Sequence, residues 1–173
     1  MDYHWKRREY LHLSQMVKIK NMKKILFVCH GNICRSVTAE FVFKYLTKVN
    51  NLDTKFYSES RATTKEEIGN DIYPPMKRTL IENGITVSRH YAKQITKQDY
   101  ELYDLILLMD EENMYGIKRI IPQDYLHKIY LLTEYVGVSG EIEDPWYTGR
   151  YEFVYNMIKN CVERLIEKLK NGD

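Results

Sequence analysis

Cys29 and Arg35, separated by five residues, frame the run Val28-Cys29-His30-Gly31-Asn32-Ile33-Cys34-Arg35-Ser36. Ahead of it, Ile25-Leu26-Phe27-Val28 is a continuous apolar run, which predicts a strand buried on both faces. Behind it, Ala39, Val42, Phe43 and Leu46 recur at helical spacing. A loop so placed lies at the carboxyl edge of a parallel sheet. There, converging backbone N–H groups and a helix N-terminus suit an anion such as phosphate. Cys29 puts a thiol beneath that anion, and the same positive field favours thiolate over thiol. Arg35 adds a planar fork that matches phosphate oxygens two at a time. Together these groups describe nucleophilic phosphoryl transfer through a phosphocysteine. The loop lacks a Gly-x4-Gly-Lys-Ser/Thr pattern, which excludes a nucleotide-hydrolysing phosphate loop.

The elements that must hold this loop can be read along the chain. Apolar runs alternate with helical patterns, the mark of βαβ units and a parallel sheet. After the first strand, Phe56-Tyr57-Ser58-Glu59-Ser60 predicts an edge strand. Pro74-Pro75 opens a helix that Asn83-Gly84 closes. Leu105-Ile106-Leu107-Leu108-Met109 predicts a second fully buried strand, followed by a helix from Glu111 to about Ile121 and a fourth strand from Lys128 to Leu132. A final helix is predicted from Tyr151 to Lys170, with Cys161 on its apolar stripe as an inert core thiol. Right-handed crossovers then predict an α/β fold: one domain, a four-stranded parallel sheet in the order 2-1-3-4, and helices on both faces.

Composition narrows the class. In 173 residues, 44% are hydrophobic and 29% charged, which rules out wholesale disorder. No apolar run reaches the ~20 residues of a membrane-spanning helix, so no membrane partner is expected. Three cysteines are too few and too unevenly spaced for a disulfide framework, and a reducing, cytoplasmic location is expected. Residues 1–21 carry a net charge of +3, which leaves −1 on the rest, so a nucleic-acid partner has no electrostatic support. That leader has no secretory h-region. It is expected to be a poorly ordered extension of a body at 22–173; an amphipathic helix docked on the body and a membrane-surface anchor are the alternatives.

The sequence closely resembles the low-molecular-weight protein tyrosine phosphatases. The resemblance rests on Val28 to Ser36 and on Asp144-Pro145-Trp146. It extends through Ser60-Arg61-Ala62-Thr63, Ser88 to Ile95 and Tyr103 to Asp110, and so covers about residues 23–170. It implies that Cys29 is the nucleophile, Arg35 the phosphate-binding and transition-state residue, and Asp144 the general acid. The acid role has its own rationale, because phenolate leaves poorly unless it is protonated, and the resulting carboxylate can then activate water. Pro145 holds Asp144 extended, and Trp146 is expected to desolvate its carboxyl. His30, Gly31, Asn32, Ile33, Cys34 and Ser36 are expected to line the phosphate site, with Trp146 as an aromatic wall. The resemblance also implies a supporting hydrogen-bond network of Asn32, Ser36, Ser60 and His90, with Asp110 nearby, and no metal or cofactor. Its partners would be phosphorylated proteins and phosphate-like anions.

Four positions depart from the common pattern. Val37 stands where Pro usually follows Ser36, Arg61 where a small residue is usual, Glu66 where an aromatic often lines the substrate wall, and Trp146 where Tyr is common. Arg61 is expected to loosen the loop before Thr63 or make it more cationic. Ile33 and Trp146 favour an aryl phosphate, whereas Glu66 could welcome phosphoarginine. A protein arginine phosphatase on the same fold is therefore the alternative activity, and a non-catalytic phosphate-binding module the alternative class. Cys34 has two readings: a small residue packed under the loop, or a partner that traps oxidised Cys29 as a disulfide.

Overall fold

The computed structural model describes residues 4–172. The sheet is four-stranded and parallel throughout, in the order β2-β1-β3-β4. Its strands are β1 (Lys23–Cys29), β2 (Phe56–Ala62), β3 (Leu105–Leu108) and β4 (Ile129–Leu131). The predicted order holds, with the two most apolar runs at the centre, the arrangement that the general preference for right-handed crossovers favours.

Alternation along the central strands splits the core in two. Ile25, Phe27, Leu105 and Leu107 point to one face, under α2 (Arg35–Val49), α3 (Pro74–Glu82) and α8 (Tyr151–Lys170). Leu26, Val28, Ile106 and Leu108 point to the other, under α4 (Lys97–Leu102) and α5 (Glu111–Ile117). Helices thus cover both faces, and β3 and the stretch of β1 from Ile25 onward need hydrophobic residues at every position. Cys161 is buried on the α8 stripe among core residues, and burial raises its thiol to about 11.

Three short helices lie outside the predicted pattern: α4, α6 (Leu132–Tyr135) and α7 (Pro145–Thr148). Two carried a local signature. Thr96 and Asp99 form a reciprocal capping box at α4. Asp144 caps α7, with Pro145 at its first position. The helix after β3 ends at Ile117, short of the predicted Ile121. Residues His4–Lys20 form helix α1, where a poorly ordered leader was expected, and its Leu11, Leu13, Met16 and Val17 are more than half exposed. Residues 1–3 of that leader lie outside the described residues.

Candidate active site

The strand-to-helix turn between β1 and α2 builds the floor of the site. Cys29 ends β1 and is 3% exposed, while Arg35 opens α2 and is 2% exposed. The chain turns tightly between them because Asn32 adopts φ 59, a left-handed conformation that Asn tolerates. The turn brings the Asn32 N–H to 3.3 Å from Cys29 Sγ, and Ser36 Oγ lies 3.0 Å from the same sulfur.

Hydrogen bonds from several elements close on Asn32. Its Nδ2 donates to Ser36 Oγ at 3.0 Å and to Ser60 Oγ at 2.8 Å. Its Oδ1 accepts from the Lys93 N–H at 3.1 Å, and its backbone carbonyl accepts from His90 Nε2 at 2.7 Å. Burial holds the His90 imidazole below its usual 6.5, although the Asn32 carbonyl, Glu40 and Asp71 favour its charged form. Asp71 accepts the His90 backbone N–H at 2.9 Å. Burial opposes the Asp71 charge, but hydrogen bonds from Lys77, His90 and Ile72 hold it at about 2.

The structure adds Glu40 to this network. Ser60 Oγ donates to Glu40 Oε2 at 2.5 Å, and Lys44 pairs with the other carboxylate oxygen. Ser36, Glu40 and Lys44 follow one another at four-residue spacing on α2. That spacing is the sequence signal that would have found Glu40.

Asp110 acts elsewhere than in the Asn32 network. It caps α5, accepting the Asn113 N–H at 2.7 Å, and its other oxygen binds Arg35 Nη1. The same Nη1 donates to the Ile142 carbonyl at 3.0 Å, and Nη2 meets Asp144 Oδ2 at 3.1 Å. Burial disfavours the Arg35 charge, yet Cys29, Asp110 and Asp144 around it raise its pKa further above the usual arginine value. Cys34 is pushed well above the ordinary thiol value, by burial first and then by Cys29 and Asp144.

Cys29, His30, Gly31, Ile33, Cys34, Arg35, Asp144 and Trp146 all line one cavity of about 160 Å³. Asn32 and Ser36 support it from behind. Glu66, Glu67, Glu112 and Tyr147 complete the rim, and only Glu66 among these was foreseen. His30, which the sequence left without a role of its own, meets Glu66 at 2.8 Å. Its carbonyl also accepts both the N–H and the hydroxyl of Thr64, fastening the loop after β2 to the phosphate loop. Arg61 is half-buried, and its charge is met by Glu59 at 2.7 Å and Asp99 at 3.3 Å. Trp146 is 53% exposed, with its ring against Tyr73; what it gives Asp144 is its backbone N–H, 3.0 Å from Oδ1. Among the described residues, no group of three or more His, Cys, Asp or Glu side chains is placed to hold a metal ion.

A buried cysteine under an anion cradle, with an arginine and a carboxylate facing it, defines a cysteine-dependent phosphate-transfer site. Residues 24–172 match the family described as "Low molecular weight phosphotyrosine protein phosphatase", and the chain belongs to that family. The enzyme of that name from Gallus gallus is 41% identical over 155 residues, which span 85% of this chain and 96% of the relative. The crystal structure of YfkJ from Bacillus subtilis superposes with a TM-score of 0.83 at 32% identity, covering 88% of this chain and 97% of YfkJ. YwlE, an arginine phosphatase, has a structure similar at TM-score 0.77 and 27% identity, covering 85% of this chain and 95% of its own.

Proposed function

We propose that residues 22–173 form a protein tyrosine phosphatase that works by a two-step cysteinyl-phosphate mechanism, and that residues 1–21 lie outside the catalytic unit. The observation that carries this is the convergence of Cys29, Arg35 and Asp144 on one cavity. In the first step the Cys29 thiolate attacks phosphorus and the bond to the aryl oxygen breaks. Asp144 gives its proton to the departing phenolate. In the second step Asp144, now a carboxylate, takes a proton from water as that water attacks phosphorus. The phosphorus–sulfur bond breaks and returns the thiolate, steadied by the Asn32 N–H and the Ser36 hydroxyl. Arg35 binds the equatorial oxygens, and the Asp110 carboxylate and Ile142 carbonyl hold it in place for that task.

The arginine-directed alternative loses ground on two observations. Glu66, the carboxylate that would greet a guanidinium, is engaged by His30. Ile33 and Trp146 present apolar surface to the same cavity, which suits an aryl ring and leaves a guanidinium unpaired. Three free cysteines support action in a reducing cytoplasm, and membership of the family supports phosphorylated proteins as substrates.

The test is a side-by-side assay on matched phosphotyrosine and phosphoarginine peptides, with wild type and Cys29→Ser. Wild type is expected to prefer phosphotyrosine. Cys29→Ser is expected to lose turnover on both substrates while still binding a phosphate analogue. Activity of the variant within about tenfold of wild type would contradict covalent catalysis, since loss of a nucleophile costs several orders of magnitude. A wild-type preference for phosphoarginine would give the alternative the better claim.

A further inference from the structure

The groups assigned to the chemistry come from two separate pieces of chain that line the cavity: the phosphate loop at 29–35, and the acid loop that carries Asp144 and Trp146. The acid loop is braced within itself. Glu143 pairs with Arg150 and accepts the Thr148 hydroxyl at 2.6 Å. Gly149, at φ 71, closes α7 in the left-handed conformation. These contacts tie the loop into one unit, and where that unit sits depends on its outside contacts.

The Asp144 contact with Arg35 is a poor candidate for holding it during turnover. When phosphate oxygens take the Arg35 N–H groups, the Asp144 carboxyl has to turn from the guanidinium towards the leaving oxygen. The loop then needs a hold that phosphate does not compete for. At one end, the Ile142 N–H is tied to the Met109 carbonyl at 2.9 Å, beside the sheet edge. Near the mouth, the contact is aromatic. The Tyr73 ring centroid lies 4.9 Å from that of Trp146, with the planes tilted by 55°.

Tyr73 is itself anchored on three sides. Its backbone N–H donates to the carbonyl of Ile33, in the middle of the phosphate loop, at 2.9 Å. Its φ of −54 and ψ of 128 lie in the extended range that a following proline requires, and Pro74 then opens α3. Its ring packs on the main core and against Tyr151, 6.0 Å away between centroids. A single residue therefore touches the phosphate loop through its backbone and the acid loop through its ring.

We propose that Tyr73 is a positioning residue: by holding Trp146 against a point fixed to the phosphate loop, it sets where Asp144 stands relative to Cys29. The proposal rests on Asp144 being the general acid, and its signature follows from that role. A misplaced acid slows departure of a poor leaving group, which needs the proton, more than departure of a good one.

The experiment compares Tyr73→Phe, Tyr73→Leu and Tyr73→Ala on phenyl phosphate and p-nitrophenyl phosphate, with thermal melts to check folding. Tyr73→Ala and Tyr73→Leu are expected to lose about threefold to tenfold in kcat on phenyl phosphate, the rate equivalent of one aromatic pair, and clearly less on p-nitrophenyl phosphate. Tyr73→Phe keeps the ring and should restore the wild-type ratio between the two substrates. Trp146→Ala should show the same selective loss, and the Tyr73→Ala/Trp146→Ala pair should be no worse than the poorer single variant. Equal losses on both substrates, a wild-type ratio in Tyr73→Leu, or additive losses in the double variant would overturn the proposal. If Tyr73→Ala does not fold, the contrast between Leu and Phe decides. A wild type that hydrolyses neither substrate would instead count against the phosphatase reading itself.

Discussion

His90 shows how one side chain ties the stability of the phosphate loop to pH. It holds the Asn32 carbonyl, and burial keeps its imidazole below the usual 6.5. Below that value the unfolded chain takes up a proton that the folded chain resists. Unfolding therefore gains protons, and stability falls as pH falls. The contribution of neutral His90 is fully present above 6.5 and is lost on going down towards its lower folded value. In His90→Asn this term is absent. The variant should melt below wild type at pH 7, and the gap should narrow between pH 7 and pH 5. Parallel melting curves across that range would show that His90 titration is not linked to folding.

At the scale of elements, the strand and the short helix that frame the loop after β2 depend on one another. Asp99 closes the α4 capping box, taking the Thr96 N–H at 2.9 Å, and also reaches Arg61 on β2 at 3.3 Å. Arg61 is half-buried, and both Asp99 and Glu59 meet its charge. Asp99→Ala removes a cap and one of the two partners, a loss of about 2 kcal/mol. For a chain of this size that corresponds to roughly 4–8 °C in Tm. Thermal unfolding of Asp99→Ala against Asp99→Asn checks this. The Asn variant keeps a capping side chain and should recover part of the loss; no recovery would place the whole effect in the Arg61 pair.

For the molecule as a whole, the proposed catalytic unit is the body built on the sheet. The family match begins at residue 24, and α1 leaves Leu11, Leu13, Met16 and Val17 more than half exposed. Removal of residues 1–21 is expected to leave kcat/KM on p-nitrophenyl phosphate unchanged. Tm should stay within about 2 °C, the shift that about half a kcal/mol produces in a chain of this size. A larger fall in Tm would mean that α1 packs on the body and belongs to its folding unit.

The sequence by itself determined the features whose cause is local or periodic. Cys29, Arg35 and the turn between them lie within one strand-to-helix connection. Asp144-Pro145 was legible as a stiff turn presenting a carboxyl, although the short helix it opens was not. The α8 stripe runs from Tyr151 to Lys170 as predicted, because twenty residues of regular periodicity leave little choice. Strand order followed as well, since handedness leaves few arrangements for two buried and two edge strands. Ser60 and His90 were legible only through family resemblance, because neither has a local signature. Tertiary structure alone decided the partnerships across the sheet edge. Arg35 meets Asp110 and the Ile142 carbonyl 75 and 107 residues away. Ser60 meets Glu40 across the gap between β2 and α2, and Tyr73 meets Trp146 between α3 and α7. Such contacts carry no periodicity. They exist because parallel pairing brings the carboxyl ends of β1, β2 and β3 to one edge, where loops distant in sequence share a single small cavity.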